Sequence, residues 1–184
     1  MLILGILGSA SKNSGARAGL EGVAERVRAA GAQFRLIDLA TEFREPHDLA
    51  DYDDPDPGGQ TAAVRERVAE ADGIVLATPV YHGSYSGLLK NFLDQLLGTA
   101  FAGKPVGILA NGGGPRSAGT ACDQMRTVVR AISGWATPSH IATTGSDYTD
   151  GRPSEFIGSR MDALVADLLS FANARQAAAR PGKE

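Results

Sequence analysis

Cysteine is nearly missing from this chain, with one residue, Cys122, among 184. A disulfide framework and a cysteine-rich metal site are thereby excluded. Histidine is almost as scarce: His47, His82 and His140 stand far apart, at no metal-ligand spacing. No apolar run approaches the roughly 18 residues of a membrane span. Positive charge is not in excess either. Eighteen basic residues face 21 acidic ones for a net charge of −3, so no bulk basic field draws the chain to nucleic acid. The Walker loop, the Gly-x-Gly-x-x-Gly dinucleotide fingerprint and the Gly-x-Ser-x-Gly elbow of acyl-transfer enzymes are all absent. The apolar opening, Met1 to Gly8, is short and lacks a basic flank. It reads as a buried strand, not a signal peptide, and the expected address is the cytoplasm.

What is present is an ordinary globular composition, 43% apolar and 21% charged, in a length suited to one domain. Continuous apolar runs at 2–7, 73–78 and 105–110 read as strands buried on both faces. The alternating 33–39 suits a strand near a sheet edge, and 137–143 a weaker fifth strand. Between them lie helical periodicities: Leu20 to Val27, Val64 to Ala71, Leu88 to Leu97, Ala121 to Ile132, and Ile157 to Leu168 with Ser154 as N-cap. Strands separated by helices imply parallel pairing through right-handed crossovers. The expected fold is an α/β, flavodoxin-like three-layer sandwich, a five-stranded parallel sheet in the order 2-1-3-4-5. One domain spans 1–175, and 176–184 is a frayed tail. Residues 42–56 carry seven acids against Arg44 and, with Pro46, Pro55 and Pro57, read as a long surface loop, solvated or forming a rim over a site.

Ligands of such sheets sit beyond the carboxyl ends of the strands, and three loops there are unusual. After the first strand, Gly8-Ser9-Ala10-Ser11-Lys12-Asn13-Ser14-Gly15 leads into a helix. Backbone N–H groups, the hydroxyls of Ser9, Ser11 and Ser14, the Lys12 charge and the helix dipole together suit a terminal phosphate. After the third strand, Pro79 is expected to end the strand and set the exit direction. Tyr81 and Tyr85 put amphipathic rings nearby, and Gly83 and Gly87 permit close approach, as the wall of a pocket for a planar ligand would. After the fourth strand, Asn111-Gly112-Gly113-Gly114 is entropically costly and reads as backbone donors turned toward a ligand.

The run Thr78-Pro-Val-Tyr-His-Gly-Ser-Tyr-Ser-Gly-Leu-Leu-Lys-Asn-Phe-Leu-Asp94 resembles the signature segment of NADPH-dependent FMN reductases, flavodoxin-like proteins related to azo, quinone and chromate reductases. The resemblance extends over nearly the whole chain. It implies that Ser9 and Ser14, with Ser11 and Lys12 beside them, hold the FMN phosphate. It places Pro79, Val80, Tyr81, His82, Gly83 and Ser84 along the flavin ring. Donors from Asn111, Gly112, Gly113 and Gly114 would then face the end of the ring where negative charge builds on reduction. Tyr85 and Arg116 are expected at the substrate. Two departures stand out: Ser11 occupies a place where the family commonly has arginine, and His82 one where asparagine is common.

The expected function is an FMN-dependent oxidoreductase that takes hydride from NADPH or NADH and passes it to a small acceptor such as free flavin or a quinone. No side chain is assigned as an obligate catalytic acid or base, and no metal is expected. A flavin dehydrogenase or oxidase for a specific metabolite is the alternative, and a flavodoxin-type electron carrier a third reading. The wide apolar face of 86–97 points to a homodimer or homotetramer. No nucleic-acid or membrane partner is expected.

Overall fold

The odd and even positions of the buried strands divide the protein's interior in two. The computed structural model describes residues 1–179. Strand β1 (Leu2–Leu7) leads to helix α1 (Gly15–Ala29), and β2 (Gln33–Asp38) to short helices α2 (Leu39–Glu42) and α3 (Leu49–Asp53). Helix α4 (Gln60–Glu70) precedes β3 (Gly73–Tyr81), then β4 (Ser84–Tyr85) and α5 (Gly87–Asp94). Strand β5 (Pro105–Gly112) feeds α6 (Pro115–Ala131), followed by β6 (Trp135–Ala136) and β7 (Ile141–Thr144). A 3₁₀ turn (Gly145–Asp147), the small hairpin β8 (Tyr148–Thr149) and β9 (Arg152–Pro153), and α7 (Glu155–Ala179) complete it. Leu4, Ile6, Ile74, Leu76, Val106 and Ile108 face the helices α4, α5 and α6. Their neighbours Ile3, Leu7, Val75, Ala77 and Leu109 face α1 and α7. Side chains of successive strand residues point to opposite faces, so each central strand serves both layers.

The main sheet has the order β2-β1-β3-β5-β6, with β7 also pairing with β5. That is the flavodoxin-like order expected from the alternation of strands and helices. The fifth position is divided between two short strands on either side of Pro138, which lacks an N–H for the ladder. The Arg126 guanidinium bonds the carbonyls of Thr137 and Pro138 at 2.8 and 2.9 Å, satisfying backbone that the ladder leaves free.

Three further expectations are corrected. Pro79 does not end its strand. It pairs in register with Asn111, and β3 runs on to Tyr81. Pairing with β1 has already stopped at Ala77, so on that side the missing proline N–H breaks no ladder bond. The segment 42–57 is not a plain solvated loop. Its Phe43 is fully buried edge-on to Phe92, at 5.5 Å between ring centres. The buried Gln95 binds the Asp51 carboxylate at 2.7 Å and His47 Nδ1 at 2.6 Å, and Asn91 donates to the Glu45 carbonyl. Residues 176–179 belong to α7, not to a frayed tail; the rest of that expected tail, 180–184, lies outside the described residues. The start of α7 is as expected, with Ser154 Oγ accepting from Ile157 N.

Candidate functional site

The first loop joins the end of β1 to α1. Its Gly8 N–H is bonded to the Ala77 carbonyl at 2.8 Å, and a Cβ on Gly8 would fall 2.7 Å from that of Leu89. Only glycine lets β1 end this close to α5. Ser9 is fully buried, and its Oγ accepts from Ser11 N at 3.3 Å. Its hydroxyl therefore shapes the loop from within, while Ser11 and Lys12 are exposed on its outer side. Ser14 caps α1, accepting from Arg17 N at 3.2 Å and keeping its own O–H free to donate. Lys12, Ser14, Gly15 and Arg17 line a cavity of about 420 Å³ whose other wall includes Gly145, Tyr148 and Gly151. Arg17 pairs with Asp38 at 2.6 Å, and its Nε is the one buried side-chain nitrogen without a partner among the described residues.

The second loop is a β-hairpin. Val80 and Tyr81 on β3 face Tyr85 and Ser84 on β4. The two residues between them, His82 and Gly83, have φ of 51° and 80°. This is the positive-φ pair that a two-residue hairpin with a twist-compatible turn demands. Histidine and asparagine both tolerate that region better than β-branched residues, which explains why either can occupy the first position. Tyr81 is half exposed and His82 and Gly83 are exposed, whereas Pro79 is buried and Tyr85 packs onto the core. Ser84 Oγ is bonded to Gln124 on α6 at 2.7 Å, which fixes the hairpin to the neighbouring helix.

The third loop follows β5. Gly112 is packed against Val80 and Ser117, where a Cβ would sit 3.2 and 2.9 Å from their side chains. At Gly113 and Gly114 an added Cβ would meet nothing within 4 Å. Helix α6 starts at Pro115 with Gly114 as N-cap and no side chain bonded to its first N–H groups. These N–H groups and the helix dipole remain available to an electron-rich ligand atom. The Asn111 side chain is engaged within the protein: its Nδ2 is bonded to Thr143 Oγ1 at 3.0 Å, and its carboxamide lies against Gly15. Arg116 is exposed at the same helix start.

Sequence reasoning overlooked several residues here. Ser86 is the N-cap of α5, and the Ser-Gly-Leu-Leu spacing carried that signal. Thr78 stood in the quoted signature run without its bonds to Ser86 and Pro79 being foreseen, and Thr143 gave no signal because its partners Asn111 and Ala110 are far away in the chain. Burial pushes the Tyr148 phenol above its usual range, against a hydrogen bond to Thr143 that lowers it. The reactive-looking residues outside the site are accounted for structurally. Cys122 is buried, its thiol pushed up to about 12 by loss of solvent. Burial and then Arg126 and Arg160 hold His140 below its usual range. Lys90 and Asp94 form a helix-surface pair at 2.6 Å. No group of three metal-ligating side chains occurs among the described residues.

The donor set fits a phosphorylated planar cofactor. A capped helix start with hydroxyls and Lys12 suits the phosphate, and an exposed Tyr81 with open backbone at Gly83, Gly87, Gly113 and Gly114 suits a planar ring.

Comparison with known proteins agrees. The FMN-dependent NADPH-azoreductase of Staphylococcus aureus (strain USA300) is 35% identical over 180 residues, covering 91% of this chain and 93% of that protein. The apo form of an NADH:FMN oxidoreductase (EMOB) superposes with a TM-score of 0.75 at 26% identity, covering 94% of this chain and 89% of the other. In fold alone, the NAD(P)H:acceptor oxidoreductase FerB of Paracoccus denitrificans is also similar, with a TM-score of 0.75 at 18% identity, covering 92% and 98%. The model of the NADPH-dependent FMN reductase family matches residues 1–149, and the chain, whose sheet order and strand-end loops are those described above, belongs to that family.

Proposed function

We propose that the three strand-end loops divide the holding of FMN among them. Ser14, Ser11, Lys12 and the α1 N-terminus take the phosphate, with Ser9 shaping that loop. Val80, Tyr81, His82, Gly83 and Ser84, with Pro79 beneath them, flank the ring. Gly112, Gly113, Gly114 and the start of α6 face its polar end, and Asn111 braces them from behind. The chain is an NAD(P)H-dependent flavin oxidoreductase acting on small acceptors. FMN, when bound, would supply the hydride-transfer chemistry between NAD(P)H and the acceptor; the protein supplies binding, orientation and electrostatics. No side chain at the site has to move a proton during reduction.

The observation that carries this division is the chemical contrast among the loops. One is hydroxylated and cationic at a helix start, one presents an exposed aromatic ring, and one bares its backbone. Tyr85 and Arg116 border the space left to the nicotinamide donor or the acceptor, which we place among free flavins, quinones and similar small oxidants. In this reading, residues 1–175 act as one FMN-binding domain. We further propose a cytoplasmic homodimer or homotetramer built on 86–97, where Leu97 is 46% exposed and Leu88 half-buried. No helix among the described residues is long and apolar enough to cross a membrane.

The test is anaerobic titration of the FMN-loaded protein with NADPH and with NADH, followed in the flavin absorbance band. Stoichiometric bleaching by either nucleotide is expected. Bleaching by neither would overturn the reading in favour of a metabolite-specific oxidase or an electron carrier.

A further inference from the structure

We propose that Ser86 is a positioning residue for the phosphate grip: its buried hydroxyl sets the first loop in place relative to the flavin-flanking hairpin. The inference rests on the reading of residues 9–14 as the phosphate site.

Ser86 is 1% exposed and touches no ligand space itself. Its Oγ donates to the Gly8 carbonyl at 2.6 Å, across 78 residues of chain, and accepts from Leu89 N at 3.1 Å as the cap of α5. Its own N–H donates to Thr78 Oγ1 at 2.9 Å, and the Thr78 hydroxyl donates to the Pro79 carbonyl at 2.8 Å. Through its hydroxyl Ser86 ties the end of β1 to the start of α5, and through its backbone N–H it ties both to Thr78 of β3.

The consequence for the loop follows from peptide geometry. The Gly8–Ser9 peptide bond is trans, so the Gly8 carbonyl and the Ser9 N–H point in opposite directions in one plane. On the other side of Gly8, its N–H is held by Ala77 at 2.8 Å. With the carbonyl anchored to Ser86, the Ser9 N–H is aimed away from α5, and the loop leaves Gly8 in a fixed direction. A capping serine is ordinarily worth its effect on one helix. This one also fixes the direction in which the phosphate loop leaves Gly8, and in so buried a place its loss leaves the Gly8 carbonyl without a donor.

The experiment compares riboflavin 5′-phosphate with riboflavin, which lacks the phosphate, by calorimetry on the apo protein. The wild type is expected to prefer FMN. Ser86→Ala is expected to weaken FMN binding about tenfold, the size of one lost buried hydrogen bond, while riboflavin binding changes less than about twofold, so the preference falls. Equal loss for both ligands, or no loss for either, would overturn the proposal, since a purely structural serine would treat them alike. A wild type without preference for FMN would instead sink the phosphate-site reading on which the proposal stands. Should Ser86→Ala not fold, Ser86→Gly carries the same comparison, because glycine caps a helix nearly as well as serine. A second readout needs no variant. Inorganic phosphate added to the isotopically labelled apo protein is expected to shift the amide resonances of Ser9, Ser86 and Leu89 together. A response at Ser9 alone would contradict the linkage.

Discussion

The carboxamide of Asn111 and the backbone of Gly15 are in such close contact that a Cβ on Gly15 would fall 2.5 Å from the amide atoms. The glycine-rich loop after β5 is thereby propped against the first turn of α1, the helix whose N-terminus lines the cavity beside Lys12 and Ser14. The prop is itself held, since Asn111 Nδ2 bonds Thr143, whose Oγ1 also accepts from Tyr148 OH at 3.4 Å. Two of the three loops are therefore coupled through the side chains of Asn111, Thr143 and Tyr148.

Gly15→Ala is expected to force Asn111 off Thr143 and to cost about 1–3 kcal/mol, the usual scale of overpacking. Urea denaturation of the apo protein checks the stability, and calorimetry a parallel fall in FMN affinity. Asn111→Ser, which shortens the obstructing side chain, is expected to recover part of the loss in the double variant. Simple additivity of the two changes would show that the contact is not the cause.

The hairpin tip offers a test of backbone conformation. With φ of 51° at His82, His82→Asn is expected to be neutral in stability to within about 0.5 kcal/mol, asparagine being at home in that region. His82→Val is expected to cost about 1–2 kcal/mol, the scale of the left-handed penalty for an L-residue. Thermal melts of the two variants decide it.

Cys122 lies buried against the Ile141 carbonyl, with its thiol pushed up to about 12 by burial. At neutral pH a thiol-specific reagent is expected to leave the native protein unmodified and active, and to react once denaturant is added. The raised value also has a sign in stability. The unfolded thiol ionises first, from about pH 9, so its contribution is intact below that and is lost as pH rises towards 12. Cys122→Ala is expected to flatten the fall in stability across that window in pH-dependent denaturation.

The acidic segment is held by Gln95, which is 1% exposed and bonds His47, Asp51 and the Asp48 carbonyl. Thr61 Oγ1 adds a bond to the same Asp51 carboxylate, and Arg65 stacks on Tyr52 at 4.9 Å. Gln95→Ala is expected to release residues 45–52 and to speed limited proteolysis within Glu42–Asp56 several-fold, with FMN affinity unchanged. Cleavage at the wild-type rate would mean that the other contacts suffice.

By itself the sequence determined the layered fold and singled out the strand-end loops. Buried strands must be apolar on both faces, and helices must show an apolar stripe, so the order of elements was written in Leu2–Leu7, Gly73–Thr78 and the periodic runs between them. Unusual loops at strand ends then marked the ligand side. What the tertiary structure alone decided were relations between distant residues. Pro79 continues its strand because β1 has already ended beside it. Ser86 reaches Gly8, Asn111 backs onto Gly15, and Gln95 clamps His47 and Asp51. Local propensity acts over a few residues, whereas a hydrogen bond or a steric limit between segments depends on where the whole sheet brings them. For that reason the neighbours of Ser9 in the chain showed only a hydroxyl in the first loop, and the packed molecule alone placed that hydroxyl in the interior, accepting from Ser11 N.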